Sequence, residues 1–363
     1  MLASAGRLAH DGGLFEGEEP MQFVRAAVAA LAALVLCAAD DPPPPAELAG
    51  YVVDGRFEPG DYGWARGAFA GATAEEVAAL QAASGWAAEC RKAARDEAVA
   101  ELAAMGIDAP DLSEGYFALT HCPAALPRFD FTRPFAEFEA ALREARPVAD
   151  TYIAAARLAQ ERALGNAGSY GEALTARTIE EQMLRLAMNW GREPLADVPR
   201  LSADAEQALQ GLLMAAASRS DHANTEWLKA RVAENGWPTI SAVGEKGASA
   251  AWLLTQHADA DPVFQARALR LMEPLVAQGE VSKPNYAYLY DRIMLKLTGK
   301  QRYGTQWGAC EGTVRPLRPL EDEARLAELR AEMEMPTIEE YGAMMDRMSG
   351  ACGEPVAPRG TGE

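Results

Sequence analysis

Residues 251–259 of this 363-residue chain have the sequence AWLLTQHAD, which places rare polar and aromatic residues inside an apolar helical pattern. The same combination occurs nearby, as NGWP at 235–238, YLYDR at 288–292 and QRYGTQ at 301–306. Most of the remaining chain is rich in Ala and Leu, which favour helices because their side chains lose little rotamer freedom there. The sequence therefore predicts an all-α fold of two helical modules, organised around residues 235–306.

The composition indicates a globular protein with an acidic surface. Hydrophobic residues make up 49% of the chain, which excludes a disordered protein, and the length is sufficient for two compact domains. The formal net charge of -19 argues against binding to nucleic acid or to an anionic membrane surface, because both require basic patches. There is no Gly-rich phosphate loop, and we expect no cofactor.

The first 39 residues predict a secretory leader. Arg25 supplies a positive charge, and the uncharged apolar run after it is too short to cross a bilayer, which takes about 20 residues. Because the residues before Met21 are acidic and featureless, we expect Met21 to be the initiator. A lipid-anchored Cys37 is a less favoured alternative, since no small residue precedes it. The prediction is an exported protein, periplasmic or secreted, with no membrane span in its mature chain.

Four cysteines follow the predicted leader, and they allow three pairings. Their spacing favours local bridges, Cys90 with Cys122 and Cys310 with Cys352, one in each half of the chain. An even number of cysteines in an exported protein favours disulfides over free thiols. None of the cysteines has the spacing of zinc ligands, so we expect no metal site.

The helical patterns predict an order of segments along the chain. An irregular linker over 40–72 precedes an N-terminal module over 73–166 and a C-terminal module over 167–346, and 347–363 form a loose tail. Thr73 and Glu76 form a capping box that begins a helix ending near Ser84. The later helices are expected over 86–105, 135–163, 170–190, 203–217, 221–234, 249–259, 262–278 and 284–297.

The four motifs resemble a bacterial family of all-helical domains of unknown function that often occur in exported proteins. The resemblance covers about residues 220–345, and it includes the closing PLED segment at 319–322 and the helix containing Glu340 and Tyr341. Since the family has no established activity, the resemblance implies positions for a site and no chemistry.

Amides, hydroxyls, a carboxylate and a guanidinium in these motifs predict hydrogen-bonded recognition of a small polar ligand or peptide. Trp252 and Gln256 share one face of a helix, and residues 301–306 lie in a loop, where function is common. We therefore predict a non-catalytic binding domain of the cell envelope. The candidate ligand-binding residues are Trp252, Gln256, Asp291, Arg292, Gln301, Tyr303, Thr305 and Gln306.

Two alternatives remain open at this point. A hydrolase-like enzyme would use His257 as a general base, oriented by Asp259 or Asp291, although no Ser or Cys nucleophile accompanies it. Alternatively, the motifs form a structural network of polar groups, with one of these carboxylates paired to Arg292, in a helical module that binds another protein.

Overall fold

A computed structural model of the chain describes residues 42–53, 56–193 and 195–353. The predicted signal peptide, the initiator Met21 and Cys37 lie outside the described residues, as does most of the predicted tail. Strands β1 (Val52–Val53) and β2 (Arg56–Phe57) form an antiparallel hairpin, and the regular structure of the described residues is otherwise helical. The prediction of an all-α fold is confirmed.

The connections between the α-helices differ in length, with long ones over 105–134 and 299–325 and shorter ones elsewhere. None of those in the described segments is long and apolar enough to cross a membrane. The α-helices are α1 (Ala74–Ala104), α2 (Phe135–Asn166), α3 (Tyr170–Ala187), α4 (Ala203–Asn235), α5 (Ile240–His257), α6 (Pro262–Val276), α7 (Lys283–Thr298), α8 (Leu326–Glu332) and α9 (Ile338–Ser349). Short 3-10 helices cover Ala46–Tyr51, Gly63–Ala68 and Glu114–Phe117.

Helix α1 begins as predicted and does not end as predicted. The Thr73 side chain accepts the backbone N–H of Glu76 at 3.2 Å, and the Glu76 carboxylate accepts the backbone N–H of Thr73 at 2.8 Å, so the capping box is confirmed. The predicted break near Ser84 is wrong, because the helix continues through Gly85 to Ala104. A glycine inside a helix costs only about 1 kcal/mol, which the buried residues on both sides outweigh.

Two further boundaries differ from the prediction for the same reason. Helix α4 runs without a break from Ala203 to Asn235, because the face it buries continues through Ala217, Ser220 and Asn224. Helix α5 begins at Ile240 and contains Gly244 with a positive φ of 73°, so the predicted start at 249 is wrong. In both regions burial against neighbouring helices decides the helix length.

One hydrophobic core contains the N-terminal segments and the first half of α4. The Phe69 ring lies 5.2 Å from the rings of Phe135 and Phe138, at the centre of this core. The predicted disulfide Cys90–Cys122 is present, with a Cα–Cα distance of 5.7 Å, and both cysteines are buried here. The bridge therefore ties α1 to the segment that precedes α2.

A second core contains the later helices. It includes Leu228 of α4, Leu254 of α5 and Ile293 of α7, and it also contains Leu102 and Phe117 from the N-terminal half. The division into two modules near 165–168 stays a prediction. The second predicted disulfide, Cys310–Cys352, is also present, with a Cα–Cα distance of 5.5 Å.

Helices α3 and α5 cross at very short distance within this arrangement. A Cβ atom on Gly171 would lie 2.2 Å from the backbone carbonyl oxygen of Val243, and one on Gly247 would lie 2.8 Å from the Cα of Gly171. Only glycine allows the two backbones to approach so closely. This crossing sets the position of α3, which carries Glu181, relative to α5, which carries Trp252 and His257.

Candidate functional site

A cavity of about 320 Å³ lies between the first half of α5, the 236–238 turn and the turn that joins α6 to α7. Its volume is within the range of small-molecule sites, about 300–1,000 Å³. Trp237, from the NGWP motif, and Trp252, from AWLLTQHAD, line it together with Met272. The cavity therefore joins two of the four motifs in one concave surface.

The aromatic part of the cavity wall is held in place by hydrogen bonding and burial. The Trp252 indole N–H donates to the backbone carbonyl of Asn285 at 2.7 Å, which connects α5 to α7. Trp237 is buried in the second core, with 7% of its surface exposed. Both rings are therefore fixed before any ligand arrives.

The polar part of the wall carries negative charge only. Glu245 and Glu280 line the cavity, and no basic residue does. The backbone N–H of Ser241 donates to Glu280 at 2.9 Å, and this bond, with one from the Ser241 hydroxyl, lowers the pKa of Glu280. The neighbouring Lys283 pairs with Glu334 at 2.8 Å instead. The cavity is therefore a negative site with aromatic walls.

The loop over 301–306 is closed on itself. Asp291 of α7 is fully buried, and its carboxylate accepts the backbone N–H groups of Arg302 at 2.8 Å, Tyr303 at 2.9 Å and Thr305 at 2.8 Å. Three of the about four lone-pair positions of this carboxylate are therefore occupied by backbone donors. Asp291 therefore holds the loop to α7.

The two glutamines of the loop complete the same network. The buried Gln301 side chain donates to the backbone carbonyls of Gln306 and Arg318 at 2.8 and 2.9 Å, and it accepts the backbone N–H of Gln306 at 2.8 Å. The Gln306 side chain in turn donates to the Thr305 hydroxyl at 3.1 Å. These four contacts match the structural alternative for this loop.

Arg330 of α8 completes the packing of the loop, and this role could not be predicted from the sequence. The residue is 1% exposed, and its guanidinium donates to the backbone carbonyls of Tyr303 at 2.6 Å and Pro336 at 2.7 Å. It also lies 5.1 Å from the ring of Tyr341, whose hydroxyl donates to the carbonyl of Thr305 at 3.3 Å. Arg330 follows an ordinary amphipathic pattern, in which an arginine is normally exposed.

Asp259 pairs with Arg292 and with the buried Lys296. The Lys296 ammonium donates to Asp259 Oδ1 at 2.7 Å and to the Gln265 side-chain oxygen at 2.7 Å, and it lies 4.4 Å from the Tyr116 ring. Burial raises the pKa of Asp259, but the charges of Lys296 and Arg292 outweigh burial and hold the pKa at about 2. This carboxylate is therefore committed to an ion-pair network.

His257 lies at the end of α5, where its carboxylate neighbour is neither Asp259 nor Asp291. Its Nδ1 atom is 3.0 Å from Oε2 of Glu181, a fully buried carboxylate of α3. Arg185 of α3 lies 2.6 Å from the same oxygen and 2.8 Å from Oδ2 of Asp221 on α4. Because these partners come from helices distant in the sequence, local spacing could not reveal them.

The structure therefore does not bring the predicted site residues into one concave surface. Trp252 lines the cavity, whereas the other candidates are placed elsewhere. Gln256 is half-buried, and its backbone carbonyl accepts the Gln265 side chain at 3.3 Å. The candidates that do not line this cavity are Gln256, His257, Asp259, Asp291, Arg292, Gln301, Tyr303, Thr305 and Gln306.

The comparisons with curated proteins and with solved structures found no match. Residues 202–352, from the N-cap of α4 to the last disulfide cysteine, match the model of a family of unknown function (DUF6624), in agreement with the resemblance predicted over about 220–345.

Proposed function

We propose that residues 202–352 form a binding domain for a small organic cation, held in the cavity between α5 and the α6–α7 turn. The observation that carries the proposal is the wall itself, in which Trp237 and Trp252 occur with Glu245 and Glu280 and without a basic residue. A cation is attracted to the electron-rich face of an aromatic ring and to carboxylates, so this combination favours a positively charged guest over a neutral or anionic one.

The two carboxylates have different positions in the proposed site. Glu280 is fixed by its bonds to Ser241, so it offers a charge of defined position. Glu245 is exposed and has no ion-pair partner among the described residues, so its charge is available to a ligand. Ser249 and Asn285 add polar atoms on the same wall. The ligand class that fits is an amine or quaternary ammonium compound with a small polar group.

The other predicted functions have less support from the geometry. The loop around Asp291 and Gln301 uses its polar atoms to hold itself, and a ligand would have to break those bonds. A general base must reach its substrate within hydrogen-bonding distance, and His257 does not line the cavity. A non-catalytic binding domain is therefore the proposal that the structure supports best.

The test compares choline with 3,3-dimethylbutan-1-ol, which has the same shape without the charge. Each compound is titrated into the full chain while tryptophan fluorescence and calorimetric heat are recorded. Choline should bind about 10-fold or more tightly than the neutral compound, because contact of a desolvated cation with an indole ring contributes up to about 2 kcal/mol. Glu245→Gln should reduce this preference, since it removes an unpaired charge and no structural bond.

A matched control is Glu89→Gln on the exposed face of α1, away from the cavity. It makes the same change in net charge and should leave choline binding as in the natural chain. Equal binding of the two compounds, or no binding of either, would rule out a cation site in this cavity.

We also propose that the mature chain is exported to an oxidising compartment. Two cysteine pairs at disulfide distance support this, since such bridges persist mainly in secreted and periplasmic proteins. The test is to express the full chain with and without residues 1–39 and to measure free thiols in each cell fraction. Reduced cysteines in a chain that stays in the cytoplasm would contradict export.

A further inference from the structure

We propose that Glu181, Asp221 and His257 form a binding site for a divalent transition-metal cation such as Zn²⁺. The site is separate from the proposed cation cavity, because none of these residues lines that cavity. The proposal departs from the expectation, drawn from the cysteine spacing, that the chain has no metal site.

The first observation is geometric. One potential ligand atom from each of the three side chains lies within 4.8 Å of the other two. The ligands come from three different helices, α3, α4 and α5. Two carboxylate oxygens and one imidazole nitrogen are a donor set that suits first-row divalent metals, and three protein ligands leave a coordination position open for water or a substrate.

The second observation concerns the His257 nitrogen. Its Nδ1 atom is buried and makes no hydrogen bond with any described residue, although Oε2 of Glu181 is only 3.0 Å away. Two ligands of one tetrahedral zinc ion, each about 2.0–2.1 Å from the metal, lie roughly 3.3 Å apart. The His257 Nδ1 atom therefore has a lone pair available for an ion that is also bound by the Glu181 carboxylate.

The third observation concerns the surroundings of the three ligands. The Glu181 side chain is fully buried, and those of His257 and Asp221 are 11% and 15% exposed. Such burial strengthens the interaction of carboxylates with a cation, because water screens it less. The close crossing of α3 and α5 at Gly171 keeps the carboxylate and the imidazole on adjacent rigid elements.

A metal ion bound by Glu181 and Asp221 would share these carboxylates with the positively charged Arg185. Arg185 donates to Glu181 Oε2 and to both oxygens of Asp221, and the Gln182 side chain donates to both oxygens of Glu181. Since each carboxylate offers about four lone-pair positions, these contacts leave one position on Glu181 and two on Asp221 for an ion. Charged groups that orient metal-binding carboxylates from outside are common in metal sites.

The experiment uses the full chain after treatment with a chelator. Zinc chloride is titrated by calorimetry, and cobalt chloride is added separately to record visible absorption, which reports coordination by protein ligands. We expect one equivalent of Zn²⁺ to bind and the Co²⁺ complex to show ligand-field bands. His257→Ala and Asp221→Asn should each weaken zinc binding by about 100-fold or more, since each removes a ligand or its charge.

The control is His222→Ala, which removes an exposed imidazole next to Asp221 in the sequence and should leave zinc binding unchanged. No saturable binding to the natural chain, or equal binding by His257→Ala, would overturn the proposal. If His257→Ala fails to fold, Asp221→Asn and the cobalt spectrum of the natural chain decide the question, because a spectrum identical to that of aqueous Co²⁺ also excludes the site.

Discussion

The carboxylate of Asp291 accepts the backbone N–H of Thr305 at 2.8 Å, so a side chain in the middle of α7 determines the conformation of the loop that follows it. Its other oxygen accepts the backbone N–H groups of Arg302 and Tyr303. A buried charge is tolerated in a protein only when it is fully hydrogen-bonded, and here the backbone provides that compensation. The QRYGTQ motif is thus a folded unit with α7.

Asp291→Asn should therefore destabilise the chain strongly. The amide keeps one oxygen for two of the donors but places an NH₂ group against the third, and the bonds lose their charge. We expect the free energy of unfolding to fall by about 2–4 kcal/mol, since a hydrogen bond to a charged group contributes about 1.5–3 kcal/mol. Urea unfolding measures the change. Asp108→Asn, at an exposed position, should change it by less than about 0.5 kcal/mol.

A small effect of Asp291→Asn would contradict this role for the carboxylate. If stability hardly changed, the loop would be held by other contacts and Asp291 would again be a candidate for ligand binding.

The ion-pair network around Asp259 predicts that removing Asp259 costs more stability than removing Lys296. Asp259→Ala leaves the Lys296 ammonium, 1% exposed, without its carboxylate, which should cost about 3–5 kcal/mol. Lys296→Met replaces the buried charge by an apolar chain of similar length, while Asp259 keeps Arg292. Chemical unfolding of both variants should therefore show a clearly smaller loss for Lys296→Met. Equal losses of stability in the two variants would mean that the stability depends on the ion pair itself, and not on whether a buried charge is left without its partner.

Local features of the fold could be predicted from the sequence. The capping box at Thr73 and the helix end predicted at 234, observed at Asn235 before Gly236 with its positive φ of 75°, depend on a few neighbouring residues. The cysteine pairs follow from an even count and short separations. Each of these features is decided within one helix end or one loop, which is the range over which sequence patterns are informative.

The candidate sites depend on tertiary packing and could not be predicted in this way. Trp252 was predicted to contact a ligand, but its partners Trp237 and Glu280 meet it only when α5, α6 and α7 fold together. Glu181 is a carboxylate at a fully buried position of α3, where its i,i+4 partner Arg185 is the only local signal. An acidic residue with such a local pattern is normally predicted to be exposed, so the contact between Glu181 and His257 could be found only from the structure.

Buried tyrosines around the same loop predict a loss of stability at high pH. Burial is the main cause that raises the pKa values of Tyr286, Tyr290, Tyr303 and Tyr341. Above pH 10 or so the unfolded chain loses these protons while the folded chain keeps them, so the free energy of unfolding falls; below that pH the contribution is intact. Circular dichroism should show unfolding together with tyrosinate absorbance.

The contrary result would be ordinary titration of these phenols. If tyrosinate absorbance rose near pH 10 while the helical signal persisted, the tyrosines would be accessible in the folded chain and the packing around Arg330 would be looser than the structure describes.

The crossing of α3 and α5 predicts opposite effects for two glycine-to-alanine substitutions. Gly171→Ala places a methyl group 2.2 Å from a backbone oxygen of Val243, so the helices must separate, and overpacking of this kind costs about 1–3 kcal/mol. Gly85→Ala lies in the exposed middle of α1 with no atom within 4 Å, and it should stabilise the chain by about 0.5–1 kcal/mol. Thermal unfolding of the two variants should therefore shift in opposite directions. Because α3 carries Glu181 and α5 carries His257, Gly171→Ala should also weaken zinc binding, whereas Gly85→Ala should leave it unchanged. A Gly171→Ala variant that is stable and keeps the natural zinc affinity would show that the crossing does not set the distance between these two ligands.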